Sequence, residues 1–426
     1  MIKAMNYYAG EWRALFRYWR KDLLAGITVG IVALPLALGF AVTTGAPPQA
    51  GLITAIIAGV VAALFGGSNF QVSGPTGAMT VVLVPIVAQY GFQSLFLIGA
   101  LAGLILVIMS VLRLGKYIEH VPWSVLEGFT LGIALVIALQ QIPLVFEVAK
   151  APGSHTLSVA IDSLKLAISN PLNWASILIA LGALFIKRLW PRIKNFFRIT
   201  MTIPASFIAI IVTTTLAELF SLDIARIGEI PTNLFSNFNF QVGSIPISSL
   251  IYAVLAVALL GAIESLLSAR VADAMAHKEI GELARHEPNR ELFGQGLATT
   301  LSSISGGMPA TGAIARTTVN VHAGARSRFA AVIHSLFLVV VVFLLAPIVA
   351  LIPTAALAGV LLGTSIRIAN PVSVKEALRT TNDFRVVYLI TAASVLAIDL
   401  IWGVLIGILI DRGIKLIKTA RERRAP

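Results

Sequence analysis

This sequence predicts an all-α polytopic membrane protein of about 14 transmembrane segments, arranged as two inverted repeats of seven. Three observations predict it. Hydrophobic residues make up 57% of the 426-residue chain and charged residues only 12%, at a mean hydropathy of +0.89, which is more apolar surface than a soluble domain of this length buries. Apolar runs of roughly 20 residues recur from end to end. Two of those regions, one in each half, are interrupted by related stretches: Gly74-Pro75-Thr76-Gly77-Ala78-Met79-Thr80 and Met308-Pro309-Ala310-Thr311-Gly312-Ala313-Ile314-Ala315-Arg316.

In chain order, spans are predicted at 23–44 and 50–66, followed by a broken third at 69–89. The fourth to seventh lie at 93–112, 121–142, 173–190 and 200–220, with a weakly amphipathic stretch at 156–169 outside the membrane. The second half begins with 248–272 and 290–304. A broken tenth at 305–322 follows, then 328–350, 354–366, 384–399 and 401–417. Each interruption places Gly and Pro just before a Thr-Gly-Ala step and then resumes a helical run. A helix that starts at membrane depth has free backbone N–H groups at its first turn, and paired broken segments in corresponding halves point to a midplane binding site. The two half-helices are expected to meet at the midplane. The alternative is that Gly and Pro only kink two spanning helices.

The basic residues test this topology. With the N-terminus inside, 28 of the 32 lysines and arginines fall on the cytoplasmic side, and only Lys150, Lys165 and Arg226 fall outside. Arg316 is left at membrane depth. The net charge of +12 is therefore topological rather than a mark of nucleic-acid binding. Zero cysteines exclude disulfides and thiolate metal sites. Met1 to Gly10 shows no cleavable signal pattern. The expected organisation is a cytoplasmic segment (1–22), a first repeat (23–220), an extracellular or periplasmic linker (221–247), a second repeat (248–417) and a short cytoplasmic tail (418–426). The protein is expected in the inner (plasma) membrane with both termini cytoplasmic.

Charge within a membrane helix costs about 2.5–3.5 kcal/mol and normally faces a cavity or a partner. Arg316 lies one to two turns past Thr311, and Glu264 lies inside the apolar run from Leu259 to Leu267. A snorkelling arginine and a packing-network acid are the competing readings. Glu127 and Asp399 sit closer to span ends. Two helix N-termini and one guanidinium all favour negative charge, which points to an anion site with Thr76 and Thr311 as hydroxyl donors. An ionised Glu264 would balance Arg316 in the empty site, so that an arriving anion brings excess negative charge unless a proton or Na+ accompanies it. Ser268, one turn after Glu264, is a further oxygen for the cation or the substrate.

Residues spread along nearly the whole chain carry a family resemblance. They are Asp22-Leu23-Leu24-Ala25-Gly26-Ile27-Thr28-Val29-Gly30 with Ala33-Leu34-Pro35, Gly45-Ala46-Pro47-Pro48-Gln49-Ala50-Gly51-Leu52, and Leu64-Phe65-Gly66-Gly67-Ser68 with Ser73-Gly74-Pro75. Further on come Glu127-Gly128-Phe129-Thr130-Leu131-Gly132, Gly261-Ala262-Ile263-Glu264-Ser265-Leu266-Leu267, and Ala315-Arg316-Thr317-Thr318-Val319-Asn320 with Ala323-Gly324. In this order they resemble the sulfate permease (SulP) family of anion transporters.

The resemblance implies a core domain that carries substrate against a gate domain, in a fold shared with nucleobase permeases. It implies anion binding between the third and tenth segments, at Thr76, Gly77, Ala78, Thr311, Gly312 and Ala313, with Arg316 as the positive group. Glu264 and Ser268 take the coupling-ion positions, and Na+ would sit at Glu264, Ser268 and Gly312. Relatives that carry bicarbonate with sodium have Asp where this chain has Glu264, which tilts the expectation toward protons. Leu36 stands where sulfate-carrying members commonly have Gln, and so resembles the bicarbonate-type branch. Members usually continue into a cytoplasmic STAS domain; beyond the short tail (418–426) none is expected in this sequence, the domain being either naturally absent or removed. A homodimer is an open expectation.

The expected function is secondary active transport of a small inorganic anion of the bicarbonate or sulfate class, by symport with H+ or Na+ and elevator-type alternating access, with no cofactor beyond the coupling ion. The rivals are an uncoupled channel, an anion exchanger or a transporter of small dicarboxylates. No constellation supports an enzyme. His120, His155, His277, His286, His322 and His334 show no metal-ligand spacing and are read as loop or interface residues, and Gly115-Lys116 lacks the surroundings of a P-loop.

Overall fold

A computed structural model describes residues 2–118, 121–151, 153, 155–197, 203–230, 245–280 and 285–422. The first half runs through α1 (Ile2–Thr44), α2 (Pro48–Phe65), a two-residue strand β1 (Ser73–Gly74), α3 (Gly77–Tyr90), α4 (Ser94–Val111), short α5 (Gly115–Ile118), α6 (Trp123–Gln140), α7 (Ile142–Phe146), α8 (Thr156–Ser169), α9 (Trp174–Phe196) and α10 (Ala205–Leu219). The second half has α11 (Ile247–Ile280), α12 (Pro288–Ile304), β2 (Thr311–Gly312), α13 (Ile314–His322), α14 (Phe329–Ala350), α15 (Thr354–Ala369), α16 (Pro371–Ala377), α17 (Asn382–Ala397) and α18 (Leu400–Glu422). Every predicted span has its helix, in order, and α8 occupies the amphipathic stretch. Among the described residues, eight helical stretches are long and apolar enough to cross a bilayer, and α3 and α10 are shorter apolar helices.

Boundaries differ where hydropathy and helicity part company. α1 begins at Ile2 rather than 23, and α11 continues to Ile280 rather than 272, because charged sequence prolongs a helix beyond the lipid without breaking it. The tenth segment is helical only from Ile314; residues 305–310 form a turn leading into β2. Positions 200–202 of the predicted seventh span, 231–244 of the linker and 423–426 of the tail lie outside the described residues.

The packing carries the inverted repeat. Renaming each segment by its counterpart in the other half converts α1 against α14 into α11 against α4, α3 against α11 into α13 against α1, and α6 against α17 into α15 against α9; all six contacts are present. The core comprises α1–α4 and α11–α14, and the gate comprises α6, α9, α10, α15, α17 and α18. Within the core, α4 and α12 touch backbone to backbone: a Cβ on Gly103 would lie 2.5 Å from the Gly296 carbonyl oxygen. Small residues at such crossings let membrane helices approach closely.

Helix ends are tied on two opposite faces. On one, Asn289 at the start of α12 accepts from the Gly115 amide, 3.2 Å, and its carbonyl accepts from Ser110, 2.6 Å. On the other, Glu147 accepts from Ala225 N and Asn173 Nδ2, joining the ends of the fifth to seventh segments, and Tyr252 donates to Asp399, 2.6 Å. The start of α1 belongs to the first face. There, fully buried Asp22 accepts from the Arg326 amide at 2.6 Å, the Ser327 amide at 3.1 Å and the Ser327 hydroxyl at 2.6 Å. Asp22→Ala would strip these donors of their acceptor. A loss of about 3 kcal/mol is expected, since each orphaned buried donor costs roughly 1–3 kcal/mol. A thermal midpoint equal to that of the native protein in the same detergent would contradict this.

Candidate functional site

The two interruptions meet. β1 and β2 pair antiparallel, Ser73 opposite Gly312 and Gly74 opposite Thr311, and the Ala313 amide donates to the Val72 carbonyl, 3.0 Å. This pairing sets the repeat register: Ser73-Gly74 is the counterpart of Thr311-Gly312. The Thr-Gly-Ala match in the sequence is therefore offset from the structural one. Thr76 is the N-cap of α3 and accepts from Met79 N, 3.2 Å. Thr311 sits two residues before Ala313, which caps α13 without a side-chain bond.

Glu264, on α11, closes this junction. Its Oε2 accepts from the Thr76 hydroxyl at 2.8 Å and the Thr311 hydroxyl at 2.6 Å, and the two hydroxyl oxygens are 3.1 Å apart. One carboxylate oxygen thus bridges both half-helices. One residue on, the Ser265 hydroxyl accepts from Gly312 N, 3.1 Å. Ser268 donates to Thr317, 3.1 Å, and Thr317 accepts from Val72 N, 3.1 Å.

Arg316 is 1% exposed and does not snorkel. Its Nη2 donates to the Pro75 carbonyl, and its Nη1 has no protein partner. The guanidinium lies over the Cα of Gly74, whose φ is +155°. Any Cβ there would strain the backbone and collide with Nη1. Gln71 packs against Gly312, and both atoms of its buried amide lack partners.

A cavity of about 720 Å³ lies against this junction, between core and gate. Of the predicted residues, Thr76, Gly77, Ala78, Ala313, Arg316 and Glu264 line it. Thr311, Gly312 and Ser268 lie behind that wall, held by Glu264, Ser265 and Thr317. The opposite wall is gate: Glu127, Phe129 and Thr130 of α6, Arg367 of α15 and Tyr388 of α17. The cavity reaches Trp123, His322 and Asn370, near the helix ends on the face where Asp22 anchors α1. Asp399 lies at the other face, bonded to Tyr252.

Sequence reasoning named Glu264 and Arg316 as site residues but not Ser265, Thr317, Gln71, Arg367 or Tyr388, and it set Glu127 aside near a span end although it lines the gate wall. The signal for the first two was adjacency, since Ser265 follows Glu264 and Thr317 follows Arg316. Of the histidines read as loop or interface residues, His286 lies in the loop before α12, buried and bonded to Asp273 at 2.6 Å, whereas His334 is buried inside α14. A single polar residue is too weak a signal to alter an apolar run. His120 lies outside the described residues.

Comparison with known proteins assigns the family. Residues 19–391 match the sulfate permease family model. The chain belongs to that family. It is 36% identical over 402 residues to the putative sulfate transporter YvdB of Bacillus subtilis, covering 92% of this chain and 72% of the relative. It is 31% identical to the bicarbonate transporter BicA of Picosynechococcus, covering 93% and 70%. The solved transmembrane domain of a cyanobacterial BicA superposes with a TM-score of 0.78 at 29% identity, over 93% of this sulfate permease family member and 98% of that structure. The structure of SLC26A9 shares the fold, with a TM-score of 0.80 at 18% identity over 95% and 66% of the two chains. This member of the family is thus a multi-pass membrane protein and an anion transporter, not an enzyme.

Proposed function

We propose that this protein is a secondary active transporter of a small inorganic anion of the bicarbonate or sulfate class, driven by symport with H+ or Na+. The anion binds in the cavity at the starts of α3 and α13, where Thr76, Gly77, Ala78 and Ala313 present amides or hydroxyls and Arg316 supplies positive charge. Glu264 carries the coupling proton, or with neighbouring hydroxyl oxygens holds Na+, a hard cation that favours such donors. Transport proceeds as the core, with both half-helices, slides against the gate. The face that bears the α1 start is cytoplasmic, in the plasma membrane.

The observation that carries this reading is the convergence on one cavity of two half-helix starts, a buried arginine and a buried carboxylate. An arginine and a carboxylate leave the site near neutrality, so an added anion creates an excess of negative charge that a cation removes. BicA and YvdB, named for bicarbonate and sulfate, support the substrate class. The test is uptake of labelled bicarbonate and sulfate into proteoliposomes under imposed proton or sodium gradients. Accumulation is expected to rise with one gradient; accumulation indifferent to both excludes symport.

A further inference from the structure

A second cavity of about 720 Å³ lies beside the first. Four cationic side chains line it: Lys187, Arg188 and Lys194 of α9 and Arg367 of α15, and no carboxylate does so among the described residues. Lys187 Nζ donates to the Val360 carbonyl, 2.7 Å, and to the Thr364 hydroxyl, 2.5 Å, so among the described residues its bonds go to neutral acceptors rather than to a carboxylate. The wall also contains Ala205 and Ser206, the first residues of α10, whose N-cap Pro204 offers no side-chain bond. A 15-residue helix therefore presents its N-terminus to the same space. Four basic side chains and an uncapped helix start on one cavity suit it to an anion.

We propose that this cavity binds the phosphate of an anionic phospholipid headgroup, and that this lipid bridges core and gate. Its position favours a lipid over an aqueous anion. The Trp190 indole donates to the Ile203 carbonyl, 2.9 Å, at the cavity's edge, and tryptophan marks the bilayer interface. Phe196 and Phe197 stand exposed just beyond. Basic pockets between membrane helices at this level suit anionic headgroups. The bridging follows from the walls: Thr28 and Val32 of α1 and His322 of α13 are core, whereas α9, α10 and α15 are gate. Arg367 and His322 also line the candidate transport cavity, so an occupant here abuts the surface along which the two domains meet.

The experiment is native mass spectrometry of the purified full chain, delipidated and then mixed with cardiolipin or phosphatidylcholine. Cardiolipin is expected to be retained over phosphatidylcholine. Arg188→Gln with Lys194→Gln should lower that preference roughly tenfold or more, while the charge-conserving pair Arg188→Lys with Lys194→Arg keeps it. Equal retention by the native and glutamine variants overturns the site. Displacement of cardiolipin by submillimolar pyrophosphate overturns the lipid and leaves an aqueous anion as the occupant. Neither result depends on which solute is transported.

Discussion

Arg316→Ala is expected to lower the affinity for the transported anion by two to three orders of magnitude. A full charge pair at about 4 Å is worth about 4 kcal/mol at an effective dielectric of 20, whereas each helix start contributes roughly 0.3–1 kcal/mol. The guanidinium thus outweighs both half-helices together. Arg316→Lys should fall between alanine and the native residue: the charge stays, but the planar fork that reaches the Pro75 carbonyl does not. The measurement is the concentration dependence of uptake for each variant, with elution profile and thermal midpoint recorded as checks on folding. Native-like uptake by a folded alanine variant would mean that the anion binds elsewhere.

Part of this site was legible in the sequence. Lipid demands long apolar runs and makes buried charge rare, so the order of spans, the two breaks, Arg316 and Glu264 all stood out. What did not stand out depends on side-chain geometry at a point where the helical period fails. The shared Thr-Gly-Ala letters implied one register for the repeat. The antiparallel pairing of Ser73 with Gly312 imposes another, three residues away. As a result Thr76 and Thr311 are not symmetry mates. One caps a helix and the other opens a strand, yet both reach the same carboxylate oxygen. Hydropathy likewise could not find Lys187, whose long apolar stem and neutral partners bury an amine within α9.

Glu264→Gln is the second large expected effect, and it falls on coupling rather than on binding. Glutamine keeps the size of the side chain and an oxygen to accept from Thr76 and Thr311, so the junction between half-helices is preserved. It removes the negative charge that balances Arg316. With that balance gone, an anion alone neutralises the arginine, and no cation is needed to complete the charge. The variant should therefore equilibrate anion across the membrane but fail to concentrate it under a proton or sodium gradient that drives the native protein. Its anion affinity should stay level or rise, opposite in sign to Arg316→Ala. The double variant carries a further consequence. If Glu264 acts on the anion through Arg316, the two substitutions are non-additive, because the carboxylate has no arginine left to balance once Arg316 is gone. Uptake by Glu264→Gln that still accumulates against a gradient would place the coupling group at another residue and leave Glu264 as the clamp between the two half-helices alone.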